Sequence, residues 1–429
     1  MAVAYAKADT LAARLSGVVI PQGVAWAAAA RQNALDRLDI SGLPRKRDEY
    51  WRYTDPASLV QSDPSLVAVF QDDDAPIFET VDRLKIVFVD GVFDPVASDP
   101  LELAGIEIDR LVTATMQELH WAKDLYGALE VKGQQPVSRP LAALNTALAT
   151  DGVVIRVFGQ AARAINLIYR HTDPVSDVML HHVIRVEAGA SLTLLETGPA
   201  AARLSVVTEV DIGENARLHH VRTQGRTHQR RAVTHCFARL SKKSEFRSFT
   251  LTFNGVLTRN ECVVTLTGDD AKAHVAAAAV GDGPQFHHDD TVFITHDAVG
   301  CESRQVFKKV LRNGATGVFQ GKILVRPDAQ KTDGYQISQA LLLGEDSQFL
   351  AKPELEIYAD DVVCSHGSTS GAIDDTALFY LRSRGVPEGE ATNLLVLAFL
   401  ADALSEIEDD RLADDLRARL EGWLSRRRT

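Results

Sequence analysis

VLRNGATGVFQG (residues 310–321) reads as an apolar strand, a glycine-centred polar turn and a second apolar strand. The same arrangement returns at RVEAGASLTLLE (185–196), EVDIGENARLHHV (209–221), VTLTGDDAKAHV (264–275) and LLLGEDSQFLAK (341–352). Gly189 and Gly213 lie 24 positions apart, and Gly314 and Gly344 lie 30 apart. The longer interval from Gly213 to Gly268 leaves room for a glycine-free rung at ARLSKKSEFRSF (238–249). Turns at such a period predict a stacked β-solenoid, in which each rung buries its inward face against its neighbours. A β-sandwich is the alternative, but it would place turn signals every 8–12 residues or so.

Outside this region the texture changes. Residues 1–150 carry helical spacing, as in AWAAAARQNALDRLD (25–39) and LVTATMQELHWAKDLYGAL (111–129), interrupted by a strand–turn–strand candidate at LKIVFVDGVFDP (84–95). Residues 151–365 form the predicted solenoid, and 366–429 return to helix. In that last part Asp374 and Asp375 can cap a segment holding Leu378, Phe379 and Leu381, and Pro387 suits a helix start. Ser405 and Glu408 have capping-box spacing before a face of Leu412, Leu416, Leu420 and Trp423. So small a helical unit must pack on the solenoid end or on a partner.

Composition narrows the function classes. A chain of 429 residues with net charge −12 favours solubility and argues against non-specific binding to nucleic acid or to an anionic membrane. The basic run Arg426–Arg428 reads as a solvated helix end. No signal-type apolar segment opens the chain, and runs such as LLVLAFLA (394–401) are too short to span a bilayer, so the expected location is the cytoplasm. The four cysteines, Cys236, Cys262, Cys301 and Cys364, form no CxxC pair, which disfavours both a disulfide framework and a closed zinc site. There is no phosphate-binding loop, so ATP chemistry must come from another chain.

EIYADDVVCSHGSTSGAIDD (356–375) concentrates possible metal ligands. Read as one extended strand, ELEIYADDVVCSH (354–366) places Leu355, Ile357, Ala359 and Val363 inward, and Cys364 and His366 outward among carboxylates. Thiolate and imidazole both ligate iron, but two ligands cannot close a site, so a partner would complete it. A Cys–His nucleophile pair fits less well, because residues two apart on a strand do not align thiol to imidazole. Of thirteen histidines, twelve fall between His171 and His366, and most read as solvent-facing positions on strands. His287, Asp289 and Thr291 alternate onto one strand face, and the His287/Asp289 pair could ligate iron or zinc only with a third ligand that the sequence does not identify; the role of His296 stays open.

Residues 355–387, LEIYADDVVCSHGSTSGAIDDTALFYLRSRGVP, strongly resemble the C-terminal signature of the SufB/SufD scaffold family of the SUF iron–sulfur assembly system. GVFQGKILVRPDAQKTDGYQISQALLLGEDS (317–347) is similar to the same family, and GLPRKRDEYWRYTDP (42–56) resembles its SufD branch rather than SufB. The resemblance implies a right-handed parallel β-helix between helical terminal domains. It also implies a non-catalytic scaffold in complex with a SufB-type sister and a SufC-type ABC ATPase docked on the C-terminal helices. LFYLRSRG (378–385), with Phe379, Tyr380, Leu381, Arg382 and Arg384, is the best docking segment. His366, and less directly Cys364, would act in transient iron or cluster chemistry at the interface with the sister, with no cofactor held by the isolated chain. Ser368 stands where alanine is usual and Val363 where lysine is usual. Strands near 340–365 are expected to pair with the sister, or with a second copy when the chain is alone. Two rivals are a β-helix polysaccharide lyase or hydrolase and a SufB-like paralogue that assembles a cluster by itself.

Overall fold

The computed structural model describes residues 2–69, 77–198, 200–225 and 229–426, with side chains from residue 9 onward. Arg427 and Arg428 of the terminal basic run lie outside the described residues. From Val153 to Gly371 consecutive strands go alternately to two sheets, and each pairs in parallel with the strand two along. This is a β-solenoid, as the spacing predicts. Six consecutive turns place a left-handed residue at the same corner, with positive φ at Gly189, Asn215, Lys243, Asp270, Gly300 and Lys331. Only two of these six are glycine, which is why the repeat looks degenerate. The glycine-free rung is present, with its corner at Lys243 between Arg231–Leu240 and Glu245–Phe253.

The two sheets bury their outer faces under different helical layers, as parallel sheets require. Helix Pro140–Leu148 lies on the nine-stranded sheet with helix Ala25–Ser41 packed over it, and the fully buried Pro140–Leu148 carried no clear signal in the sequence. Helices Glu388–Leu404 and Asp410–Ser425 cover the ten-stranded sheet, setting Val396, Leu400, Leu416 and Trp423 against Leu251, Phe253, Ala278 and Val306. The C-terminal helices therefore pack on a sheet face and not on the solenoid end.

Local expectations divide. The strand–turn–strand is present as Arg83–Val89 and Val92–Phe93, turning through Asp90 (φ 46°) and Gly91 (φ 81°), and its first strand pairs in parallel with Ala164–Arg170. Asp374 caps the next helix by accepting the N–H groups of Thr376 and Ala377 at 2.8 and 3.2 Å. Segment 111–129 is not one helix. It breaks into Leu111–Ala114, a 3₁₀ turn at Trp121–Asp124 and Ala128–Lys132, because the His120 ring accepts the Ala122 N–H and Gly127 turns left-handed. The predicted capping box at Ser405 is also absent. Asp409 caps the last helix from the Arg411 N–H, and Ser405 ends the helix before it.

The histidines depart furthest from expectation. His181, His182, His220, His235, His274, His288 and His296 are all buried, because both faces of each middle strand are covered. Several belong to a polar column inside the solenoid. His220 meets Glu196 at 2.9 Å, Arg222 donates to Thr234, Thr234 to Asn260, and Lys309 donates to Asp290 and His288 at 2.6 and 2.8 Å. The column borders a cavity of about 40 Å³ that also touches Cys236 and Cys262, which face each other across neighbouring turns. All four cysteines are free thiols.

Two measurements check this packing. A Cβ on Gly268 would overlap the backbone nitrogen of Lys242 in the preceding turn. Gly268→Ala should therefore cost about 1–3 kcal/mol in denaturant unfolding, while Gly389→Ala, open to space in a helix, should cost nothing. Burial holds His182, His219, His235 and His296 down at about 4. The unfolded chain takes up those protons near pH 6.5, so stability is full above that pH and is lost as pH falls toward 4. Glu130, raised by burial to about 7, works oppositely in the same window but is one group against four. The unfolding midpoint should fall steadily between pH 6.5 and 4; a flat profile would contradict the burial.

Candidate functional site

The last turn of the solenoid is built from Gln348–Ile357 and Val362–Gly371, and among the described residues each ends its sheet with one strand neighbour. Residues 316–325 one turn earlier are mostly buried, whereas 348–357 and 362–371 are half-buried or exposed throughout. This end presents an unpaired row of backbone groups on both sheets.

Residues 354–366 are not one strand. Tyr358–Asp361 turn the corner between the sheets and reset the alternation. Val363, expected inward, is 71% exposed. Cys364, expected outward, packs with Leu355 and Val362 against Ile323, Val325, Ala329 and Ala359. Its Sγ lies where a side chain on Gly334 would sit, 3.2 Å from that glycine's missing Cβ. Burial, and then the nearby Asp333 carboxylate, raise the Cys364 thiol above its ordinary value, against a lowering backbone hydrogen bond from Gly334.

His366 shares the Cys364 side of the strand, about 6.6 Å further along it. It is exposed because no turn follows, and it stands in register with Gln336, which is buried and donates to Gln305 at 2.9 Å. One step on, Ser338 bonds Ser368 at 2.9 Å. The imidazole therefore ends an interior polar ladder at the open mouth of the solenoid. Among the described residues, Cys364 and His366 belong to no group of three His, Cys, Asp or Glu ligand atoms within 4.8 Å of one another.

The other sequence candidates separate by role. Asp289 accepts from Thr54 at 2.6 Å and from Arg259, and His287 meets the same Thr54 hydroxyl at 2.9 Å. Arg259 also donates to the Tyr50 carbonyl, stacks over Trp51 at 4.1 Å and pairs with Glu261. Burial alone would raise the Glu261 carboxyl, but Arg259, His235 and Arg139 hold it at about 2. This ion cluster fastens segment 42–56 to the nine-stranded sheet, an anchor that pattern reading of HHDD (287–290) missed. His296 meets Ser303 at 2.8 Å and, among the described residues, joins no ligand group. On helix Asp375–Ser383, which has no buried residue, Phe379 and Tyr380 are 73% and 54% exposed. Leu381 is half-buried, and Arg382 and Arg384 are exposed, the latter over the Tyr380 ring.

The fold and this end define a class: a parallel β-solenoid whose final turn is unpaired and carries a thiol and an imidazole on the same side of its last strand. Comparison with known proteins gives the family. Residues 169–399 match the SufBD core domain of SUF-system iron–sulfur cluster assembly, and residues 16–163 match the SufBD N-terminal region. The chain is 29% identical over 406 residues to the iron–sulfur cluster assembly protein SufD of Escherichia coli, covering 91% of each chain. It is 25% identical to SufD of Bacillus subtilis, covering 90% of this chain and 91% of that one. A SufBD family protein of Synechocystis is 27% identical, over 88% and 86% of the two chains. The chain belongs to the SufBD family of iron–sulfur cluster assembly proteins. No helix of the described residues is long and apolar enough to cross a membrane.

The thiol environment is testable. At pH 8 Cys364 should alkylate more slowly than a free model thiol, followed by mass spectrometry of the isolated chain. Asp333→Asn, which removes the second raising cause, should speed it. Alkylation as fast as the model thiol would contradict the inward placement.

Proposed function

We propose that this chain is the SufD-type scaffold subunit of an iron–sulfur assembly complex, without turnover of its own. The observation that carries this reading is the open last turn, where unpaired strand edges and the exposed His366 occur together. A SufB-type sister would add its strands to Gln348–Ile357 and Val362–Gly371, as an extended segment joins a free sheet edge. Alone, the same edges would favour a second copy of the chain.

In that assembly His366 donates an imidazole toward transiently held iron or a nascent cluster. The sister supplies further ligands, since two cannot close a site. Cys364 stands ready as a second donor, but its raised thiol must lose a proton first, which a bound cation would promote. The cluster is cargo, and an incomplete site in each subunit suits a scaffold that must release it. A SufC-type ATPase would dock on helix Asp375–Ser383 through Phe379, Tyr380 and Leu381, flanked by Arg382 and Arg384. Two large exposed aromatics on a helix with no buried residue support this surface. The working compartment of such a complex is the cytoplasm.

His366→Ala should change folding stability by no more than about 0.5 kcal/mol, as at typical exposed sites. Cluster formation in the reconstituted three-component complex should fall sharply, read by anaerobic absorbance. Unfolding of the variant with full competence in the residual complex would make His366 structural. A Phe379→Asp, Tyr380→Asp double variant should keep its fold and the sister scaffold on co-purification but lose the ATPase; retained ATPase would move that docking site elsewhere.

A further inference from the structure

Away from the open end, three ligand side chains meet beside the N-terminal edge of the nine-stranded sheet. Glu107 and Asp109 share one side of the strand Ile106–Arg110. His120 closes on them from the start of the Trp121–Asp124 turn. One ligand atom from each lies within 4.8 Å of the other two. The His120 Nε2 is 3.3 Å from Asp109 Oδ2, about the spacing of neighbouring ligand atoms around an ion held at roughly 2.1 Å.

The histidine makes this more than a pair of acidic side chains. Its side chain is only 3% exposed, so a polar ring is buried at this spot. Nδ1 accepts the Ala122 N–H at 3.0 Å, which fixes the ring and turns Nε2 toward the two carboxylates. Among the described residues, Nε2 has no hydrogen-bond partner outside the group. Trp121 lies against the ring at 5.6 Å and closes that side. The nearby guanidiniums are committed elsewhere: Arg156, across the ladder from Glu107, holds Glu187 at 2.6 Å, and Arg110 holds Asp151. Glu107 is exposed and Asp109 half-buried, so an ion reaches the group from solvent.

We propose that Glu107, Asp109 and His120 bind one divalent first-row transition ion. One imidazole with two carboxylates suits Mn²⁺, Fe²⁺ or Zn²⁺; Ca²⁺ and Mg²⁺ favour all-oxygen sets, and the soft Cu(I) favours thiolates. Three protein ligands on one side leave positions for water, which makes the ion exchangeable. A buried His120 ligand adjoining an exposed carboxylate gives it a fixed inner wall and an open outer one. The site is separate from Cys364 and His366 and does not rest on their role.

The test titrates the metal-free full chain with Co²⁺, read by visible absorbance, and with Mn²⁺, read by electron paramagnetic resonance. One ion per chain is expected, with quenching of Trp121 fluorescence by Co²⁺ that is lost in Trp121→Phe. His120→Asn keeps a side-chain acceptor for the Ala122 N–H but removes the ring nitrogen. It should weaken binding by about tenfold or more, at least what loss of an outer-shell partner costs. A Glu107→Gln, Asp109→Asn double variant at solvent-accessible strand positions should do the same with an unchanged circular dichroism spectrum, and it decides the matter if His120→Asn fails to fold. His366→Ala should bind as before. Absence of saturable binding in the native chain, or equal affinity in the double variant, overturns the proposal.

Discussion

A stack of parallel turns satisfies each turn's backbone with the next, and so it cannot satisfy its last one. The two ends of this stack are treated differently. At the N-terminal end short antiparallel strands close the sheets: Val92–Phe93 folds back on Arg83–Val89, and Ile106–Arg110 runs against Val153–Val157. At the C-terminal end no strand of the described chain follows Gln348–Ile357 and Val362–Gly371. The C-terminal helices could have covered that end. They lie instead on the outer face of the ten-stranded sheet, leaving both edges free.

The interior explains why the open end is polar. Solenoid lumens are usually packed with aliphatic ladders, and the first turns here follow that rule with Ile155, Ile165, Leu167 and Ile184. Further along, Glu196, His220, Asn260, Asp290, Lys309, Gln305 and Gln336 take inward positions, and each hydrogen-bonds a neighbour from another strand. Buried groups of this kind are tolerated only when partnered. At the final turn the ladder runs out of partners inside the chain, and His366 is the side chain left at its end. Outside the nine-stranded sheet a separate charged cluster of Arg259, Glu261, Asp289 and Arg139 does a different task, holding segment 42–56 in place.

Much of this was legible in the sequence, and the misses have definite physical causes. Turn spacing identified the solenoid because glycine-bearing polar turns recur at its corners: Gly189 is itself left-handed, Gly213 and Gly268 sit two residues before the left-handed Asn215 and Asp270, and lysine at 243 and 331 hid two corners. The motifs at 42–56, 317–347 and 355–387 identified the family that comparison then showed. Side-chain direction at Cys364 was misread because alternation holds only along an unbroken strand, and the corner at 358–361 carries no glycine or proline to announce it. The histidines were misplaced for another reason: with helices over both outer faces and a polar lumen, the middle strands have no solvent face. Segment 111–129 has helical spacing, yet tertiary contacts of Leu111, Leu125 and Leu129 with the sheet override it. The anchoring role of Asp289 needs a partner some 235 residues away, Thr54, which no local pattern reveals.

The central claim is that the last turn is finished by another chain. Hydrogen exchange, followed by mass spectrometry on the isolated chain and on the chain mixed with its sister scaffold, tests it directly. Amides of Gln348–Ile357 and Val362–Gly371 that have no partner in the chain should exchange fast alone and become protected on assembly, while Arg83–Val89 stays unchanged. Assembly that leaves both edge strands unprotected and protects another surface would contradict the account.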